Sequence, residues 1–256
     1  MSQAIPTWFW VVWAGIFGLV FGSFFTAVAH RWPREESLMH PRSHCTACNH
    51  TLSWFELVPV LSWVALRGRC RSCRASVSIR YPLTELATGA LAALAIATVG
   101  ANLRGAAAAV MLVALVPVVI IDLEHKLIPD LIVLPATVAA LALGILSRPD
   151  RWWVPVASAL GASAFLLILH LAKPGGMGLG DVKLALLLGA VLGAGVIPAL
   201  AVAFLTGSIL GVGMMIRGGA SARKMAIPFG PFLAAGAFVA LWWGAPVLSW
   251  YRDSFL

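Results

Sequence analysis

The sequence predicts an all-α protein: a polytopic membrane helix bundle of about eight transmembrane helices, with a small cytoplasmic four-cysteine domain of zinc type. Three observations predict it. The 256 residues are 61% apolar and only 11% charged, where soluble domains run at about 45–50% and about 25%, and the mean hydropathy is +0.92. Apolar runs near the ~20 residues that cross a bilayer recur along the chain. All four cysteines fall in one polar stretch, as Cys45-x-x-Cys48 and Cys70-x-x-Cys73.

Taken in order, the first span runs from about Trp8 to Val28. It lacks a basic segment ahead of it and is too long and too rich in tryptophan for a cleaved signal, so it reads as a retained helix. The polar segment His30–Arg80 follows. Further spans are expected from about Leu83 to Gly100, Ala106 to Ile121, Leu127 to Leu146, Trp152 to Leu171, Asp181 to Gly195, Ile197 to Ile216 and Pro228 to Trp250. The sixth is short. Ala/Gly runs such as Gly105–Ala109 read as helix-packing faces rather than linkers, and no internal repeat is evident. The expected division is 1–29 first helix, 30–81 cysteine domain and 82–256 membrane domain.

The net charge of +8 reads as topology, not as a nucleic-acid surface. Alternating spans put Arg31, Arg34, Arg42, Arg67, Arg69, Arg71, Arg74, Arg80, Lys126, Lys173, Lys183, Arg217, Arg223 and Lys224 on one side. Only Arg104, Arg148, Arg151 and Arg252 fall on the other. The positive-inside rule then makes the cysteine side cytoplasmic and puts both termini outside. Trp8, Trp10, Trp152, Trp153 and Trp250 fall near the outer interface, where indoles settle.

Two Cys-x-x-Cys pairs separated by twenty-one residues match four-thiolate zinc sites, closed and therefore structural. A short segment with few core apolars needs such a staple. Free thiols or a redox pair are the other reading.

Among the acids, two stand at span ends where a carboxylate in lipid needs a reason. Asp122 follows the run Val110–Ile121, and Asp181 follows the glycine-rich break Gly175-Gly176-Met177-Gly178-Leu179-Gly180. We expect them to meet as one catalytic site, where two aspartates sharing a proton activate a water against an amide. Gly178 and Gly180 permit close approach of a second chain, so they are expected to bind substrate, with Lys183 beside them. Asp122 ends a helix and Asp181 begins one, so the dipoles would leave the shared proton more often on Asp122. Asp130 after Pro129 reads as an ordinary helix start. Glu85, one turn inside its span, either pairs with Arg80 or belongs to the site. Pro228 to Pro231 cannot be regular helix throughout, and either lines the substrate groove, with Pro228 and Gly230 in contact, or merely starts the last span.

These residues together resemble the type IV prepilin peptidases, membrane aspartic proteases with a Gly-x-Gly-Asp motif. The resemblance rests on Gly22-Ser23-Phe24 with His30-Arg31-Trp32-Pro33, on Pro41-Arg42-Ser43-x-Cys45-x-x-Cys48 and on Leu66-Arg67-Gly68-Arg69-Cys70-Arg71-Ser72-Cys73. It continues through Ile79-Arg80-Tyr81-Pro82-x-x-Glu85, Ile121-Asp122 with Ile128-Pro129-Asp130, Gly178-x-Gly180-Asp181-x-Lys183 and Ile227-Pro228-Phe229-Gly230-Pro231. Thr26 stands where the family usually has asparagine. The resemblance implies a protein of the bacterial inner membrane that removes the leader from type IV prepilins and type II secretion pseudopilins. It carries the catalytic roles onto Asp122 and Asp181. It also implies N-methylation of the new terminus with S-adenosylmethionine, for which the residues themselves show no nucleotide-binding signature. Expected partners are these substrates and membrane lipid, with no nucleic acid. The alternative is a transporter or channel with a zinc-stabilised domain, which would want its polar groups near the midplane.

Overall fold

The computed structural model describes residues 5–38, 40, 42–173, 175–222 and 227–255. Pro41, Arg223 and Lys224, named above, lie outside them. Among the described residues the chain is helical, with α1 Thr7–Arg31, the short α2 Leu61–Ala65, α3 Arg80–Val99, α4 Leu103–His125, α5 Asp130–Ser147, α6 Trp153–Ala172, α7 Leu179–Leu192, α8 Val196–Ala222 and α9 Gly230–Phe255. Two compact units divide the chain, Met1–Pro117 and Val118–Leu256. The boundary falls at Pro117 within α4, where the imino acid removes a helical hydrogen bond.

In the first unit, α1 and α3 lie antiparallel at backbone contact. A Cβ on Gly18 would stand 2.7 Å from the Thr88 carbonyl oxygen, and one on Gly22 2.7 Å from the Glu85 Cα. Small residues at this spacing let two apolar helices approach closely, the way packing is gained in lipid.

Between these helices lies the cysteine segment, and here the structure corrects the reading that no internal repeat exists. The two Cys-x-x-Cys turns share one backbone pattern, residue for residue, at an offset of 25 (Cys45 to Cys70). The Cys45 N–H donates to the His50 carbonyl as that of Cys70 does to Ala75. Asn49 N–H donates to Cys45 and Arg74 to Cys70, and Leu52 donates to Ser43 and Val77 to Gly68. Asn49 and Arg74 both take a left-handed backbone, at φ 57° and 61°. Only the cysteines and a serviceable turn are common to the two sequences, so the repeat is visible in hydrogen bonds and not in side chains.

In the second unit, α7 is the central helix. Val182, Leu184, Ala185, Leu187, Leu188 and Ala190 are all buried, as befits a helix apolar on every side. A Cβ on Gly189 would stand 2.4 Å from the Ser158 carbonyl of α6. With 14 residues, α7 reaches about 21 Å, short of the ~30 Å hydrocarbon core. Gly193, at φ 57°, turns the chain into α8. Among the described residues, seven stretches are long and apolar enough to cross a membrane, and α7 with α8 forms one of them, Leu179–Arg217. The expected eight and the seven so counted differ only at this short helix.

Candidate active site and metal centre

Asp122 lies in the last turn of α4, 5% exposed. Its Oδ2 accepts the Gly230 N–H at 2.8 Å, and Gly230 is the first residue of α9. Asp181 is the third residue of α7 and 6% exposed. Its Oδ2 reaches back to the Gly178 N–H at 3.1 Å, satisfying one of the amides a helix start leaves open. The Asp122 charge acts on the Asp181 carboxyl, so the second unit brings the two acids into one electrostatic neighbourhood. Each carboxylate takes an amide at a helix start. The dipole asymmetry that would leave the proton on Asp122 is therefore removed by α9, whose N-terminus Asp122 faces.

Neighbouring residues frame this pair. A Cβ on Gly180 would stand 2.7 Å from the Ile128 Cβ, so the missing side chain is accounted for by the loop between α4 and α5. Lys183 Nζ meets Asp130 Oδ2 at 2.6 Å, with both side chains about half exposed. The ordinary helix start expected at Asp130 is thus also an ion-pair partner, a role its sequence neighbours do not signal. The His170 ring Nδ1 lies 2.7 Å from the Met177 carbonyl oxygen and ties the end of α6 to the strand of backbone entering α7. Ile227, Pro228 and Phe229 precede α9 as non-helical chain. Phe229 is held between Phe204 and Phe232, at centroid distances of 5.3 and 6.2 Å. Glu85 lies in the first unit, buried, with Oε2 accepting the Val60 N–H at 2.7 Å. Val60 sits at φ 61°, a costly backbone for a β-branched residue.

Two buried carboxylates within electrostatic reach of one another, each held through one oxygen by a backbone amide, suit general acid–base chemistry on a water and an amide.

The four cysteine sulfurs lie within 4.8 Å of one another, with Cys45–Cys73 at 3.8 Å and Cys48–Cys70 at 4.0 Å. A tetrahedron of ~2.3 Å Zn–S bonds has sulfur–sulfur edges of ~3.8 Å, so the donor set fits a metal ion. The Ala47 and Cys48 amides bring the Cys45 thiol down to about 7, and the Cys73 and Ser72 amides lower that of Cys70. Cys73 moves the other way, to about 11: although the Ala75 amide favours its thiolate, the thiols of Cys48, Cys70 and Cys45 and burial oppose it. Four thiolates this close need a cation to ionise together. Purified protein is expected to carry about one zinc per chain, and Cys48→Ser to lose most of it by elemental analysis. Full retention of zinc in that variant would exclude this site.

The apolar cavity of the first unit does not suit the methyl donor. A cavity of about 680 Å³ in the first unit is lined by Phe9, Trp10, Trp13, Phe17 and other apolar residues, with Asn102 the polar side chain among them. The Asn102 Oδ1 already accepts the Arg104 and Gly105 amides. A charged nucleoside cofactor would find few partners there.

Residues 16–99 match the family described as Bacterial Peptidase A24 N-terminal domain, and residues 109–216 match the Type IV leader peptidase family. The first span holds the cysteines and the second both aspartates. The chain is 37% identical to the prepilin leader peptidase/N-methyltransferase of Aeromonas hydrophila, covering 100% of this chain and 98% of that one. It is 34% identical to the protein so named from Aeromonas salmonicida (strain A449), with the same coverage. It is 35% identical to that of Bacillus subtilis (strain 168), covering 92% and 95%. No solved structure matches the chain.

Proposed function

The chain belongs to the type IV leader peptidase family, and from that premise we propose that Asp122 and Asp181 are the pair with which it cuts its substrate. It is a multi-pass membrane enzyme that removes prepilin leader peptides and methylates the new N-terminus. What supports the proposal is a pair of buried carboxylates from helices far apart in sequence, within electrostatic reach of one another and each on a helix-start amide. One aspartate takes a proton from water, whose oxygen attacks the scissile carbonyl carbon. The other, protonated, gives its proton to the carbonyl oxygen. Collapse of the tetrahedral intermediate breaks the C–N bond, and the departing nitrogen takes a proton from the pair.

The transporter or channel alternative is set aside. The full-length relatives carry a peptidase name, and the acids gather at one end of their helices rather than at mid-span.

The finer topology follows the charge bias. We assign the cysteine segment 30–81 and the aspartate pair to the cytoplasmic face of the inner membrane, with both termini outside. A prepilin or pseudopilin would keep its apolar helix in lipid and present the scissile bond at that face. Gly178 and Pro228, on non-helical backbone near the pair, are assigned to the extended substrate chain. Gly180, Gly230 and Lys183 each face an internal partner, and their part in substrate binding is to hold the frame, while Glu85 holds the Val60 amide in the first unit. Zinc is assigned to the cysteines as a structural ion. S-adenosylmethionine supplies the methyl group in the second reaction.

The test is direct. Purified enzyme in detergent, given a prepilin, should release the leader and, with S-adenosylmethionine present, add the mass of one methyl group to the mature terminus. An intact prepilin after long incubation with folded enzyme would overturn the assignment.

The Lys183–Asp130 pair gives a further expectation. Half exposed, it adds little to stability, at most about 1 kcal/mol, yet it joins the helix after Asp122 to the helix of Asp181. Asp130→Asn and Lys183→Met should each slow cleavage by about tenfold through misplacement of the carboxylates. The exchange Asp130→Lys with Lys183→Asp should recover most of the loss, since the interaction is shared. Undiminished rates in both single variants would remove the pair from the frame.

A further inference from the structure

We propose that the cysteine domain docks on anionic phospholipid headgroups through a face carrying Trp54, Leu61 and Val64, with Arg67 and Arg71 beside it. The apolar part is plain in the exposures. Trp54 is 77% exposed, Leu61 68% and Val64 59%. Leu61 and Val64, three apart on α2, share one side of the helix. Trp63 lies on the other, its indole N–H donating to the Val77 carbonyl at 3.1 Å. Trp63 is thus turned inward, while Trp54, Leu61 and Val64 leave most of their surface outside the domain. Large apolar groups left out on a segment this small mark a contact surface.

The tether selects the occupant. α1 ends at Arg31 and α3 begins at Arg80, and the two helices run antiparallel at backbone contact. Both ends of the domain therefore leave the bilayer at one face, and residues 32–79 cannot move far from the headgroups. Charge selects the kind of lipid. From Leu57 to Ile79 there is no Asp or Glu, while Arg67, Arg69, Arg71 and Arg74 fall in that stretch. The nearest acid, Glu56, is turned inward, its side chain 2% exposed and its Oε2 beside His50 at 3.4 Å. A zinc ion with four thiolates carries a charge of about −2, which leaves the four arginines in excess. The Arg71 guanidinium lies over the Phe55 ring at 5.0 Å, and Phe55 stacks edge-on with Trp54. Basic residues joined to exposed tryptophan are the composition of an interfacial anchor at an anionic leaflet.

The experiment uses the full chain in nanodiscs of phosphatidylcholine containing phosphatidylglycerol. A benzophenone amino acid replaces Leu61 or Val64, and a third protein carries it at Trp10 on α1 as a control for lipid labelling. After irradiation, mass spectrometry should find phospholipid adducts at both domain positions. Phosphatidylglycerol adducts there should exceed their share of the bilayer by about threefold, and Arg67→Gln with Arg71→Gln should return them to that share. At Trp10 the adducts should follow bulk composition. Adducts at 61 and 64 to peptide of the same chain or to added prepilin would overturn the proposal, since a protein surface would then be the occupant. So would no adduct there while Trp10 labels.

Discussion

Asp122→Asn and Asp181→Asn should each reduce prepilin cleavage by about 10³–10⁴-fold, the range general acid–base groups supply, while a substrate already cut is methylated at the normal rate. Asparagine keeps the shape of the side chain, and its carbonyl oxygen can still accept the Gly230 or Gly178 amide that the carboxylate holds now. What it loses is the ability to take a proton from water or to hold one for the carbonyl oxygen. Because both residues are buried and neither forms an ion pair among the described residues, the neutral variants should fold and keep their zinc. The double variant should be little worse than either single one, as expected for groups that act as a unit. More than a tenth of wild-type cleavage in either single variant would sink the pair. Loss of methylation in parallel would instead mean that the substitution had damaged the fold.

The two aspartates were legible as candidates because an acid at the end of an apolar run, such as Val110–Ile121 before Asp122, has few bland explanations. The cysteine cluster was legible from spacing alone. What surrounds them was not. The Gly230 amide that holds Asp122 comes from 108 residues away, and a backbone donor leaves no trace in side-chain chemistry. Lys183 and Asp130, 53 apart, each had an adequate local reading, one as a neighbour of substrate and one as a helix start. Glu85 was conspicuous as an acid inside a span. Its acceptor role toward Val60 depends on a positive φ in a valine, which no propensity would suggest. The dipole argument missed one contribution for the same reason: it treated α4 as an isolated helix, and the start of α9 against Asp122 is a tertiary fact.

Gly230→Ala should cost about a hundredfold in cleavage, chiefly in kcat, with methylation and zinc content unchanged. A Cβ at residue 230 would stand 2.7 Å from Asp122 Oδ2, closer than real Cβ contacts come, and 3.3 Å from its Cγ, which is tight. Neither side can yield cheaply. Pro231 fixes the backbone after residue 230, Phe229 before it is held between Phe204 and Phe232, and Asp122 is buried among packed helices. The carboxyl group must therefore move off the amide by a large part of an ångström, and misplacements of about 1 Å at reacting groups cost about 10²-fold. Gly161→Ala makes the control, because a Cβ there meets nothing within 4 Å and alanine suits a helix better than glycine. That variant should cleave at the normal rate. If Gly230→Ala matched it, Asp122 would not depend on its amide, and the start of α9 would have no part in setting the carboxylate. If Gly230→Ala lost zinc or methylation as well, the damage would be to the fold, and the close approach at residue 230 would be a packing constraint rather than a catalytic one.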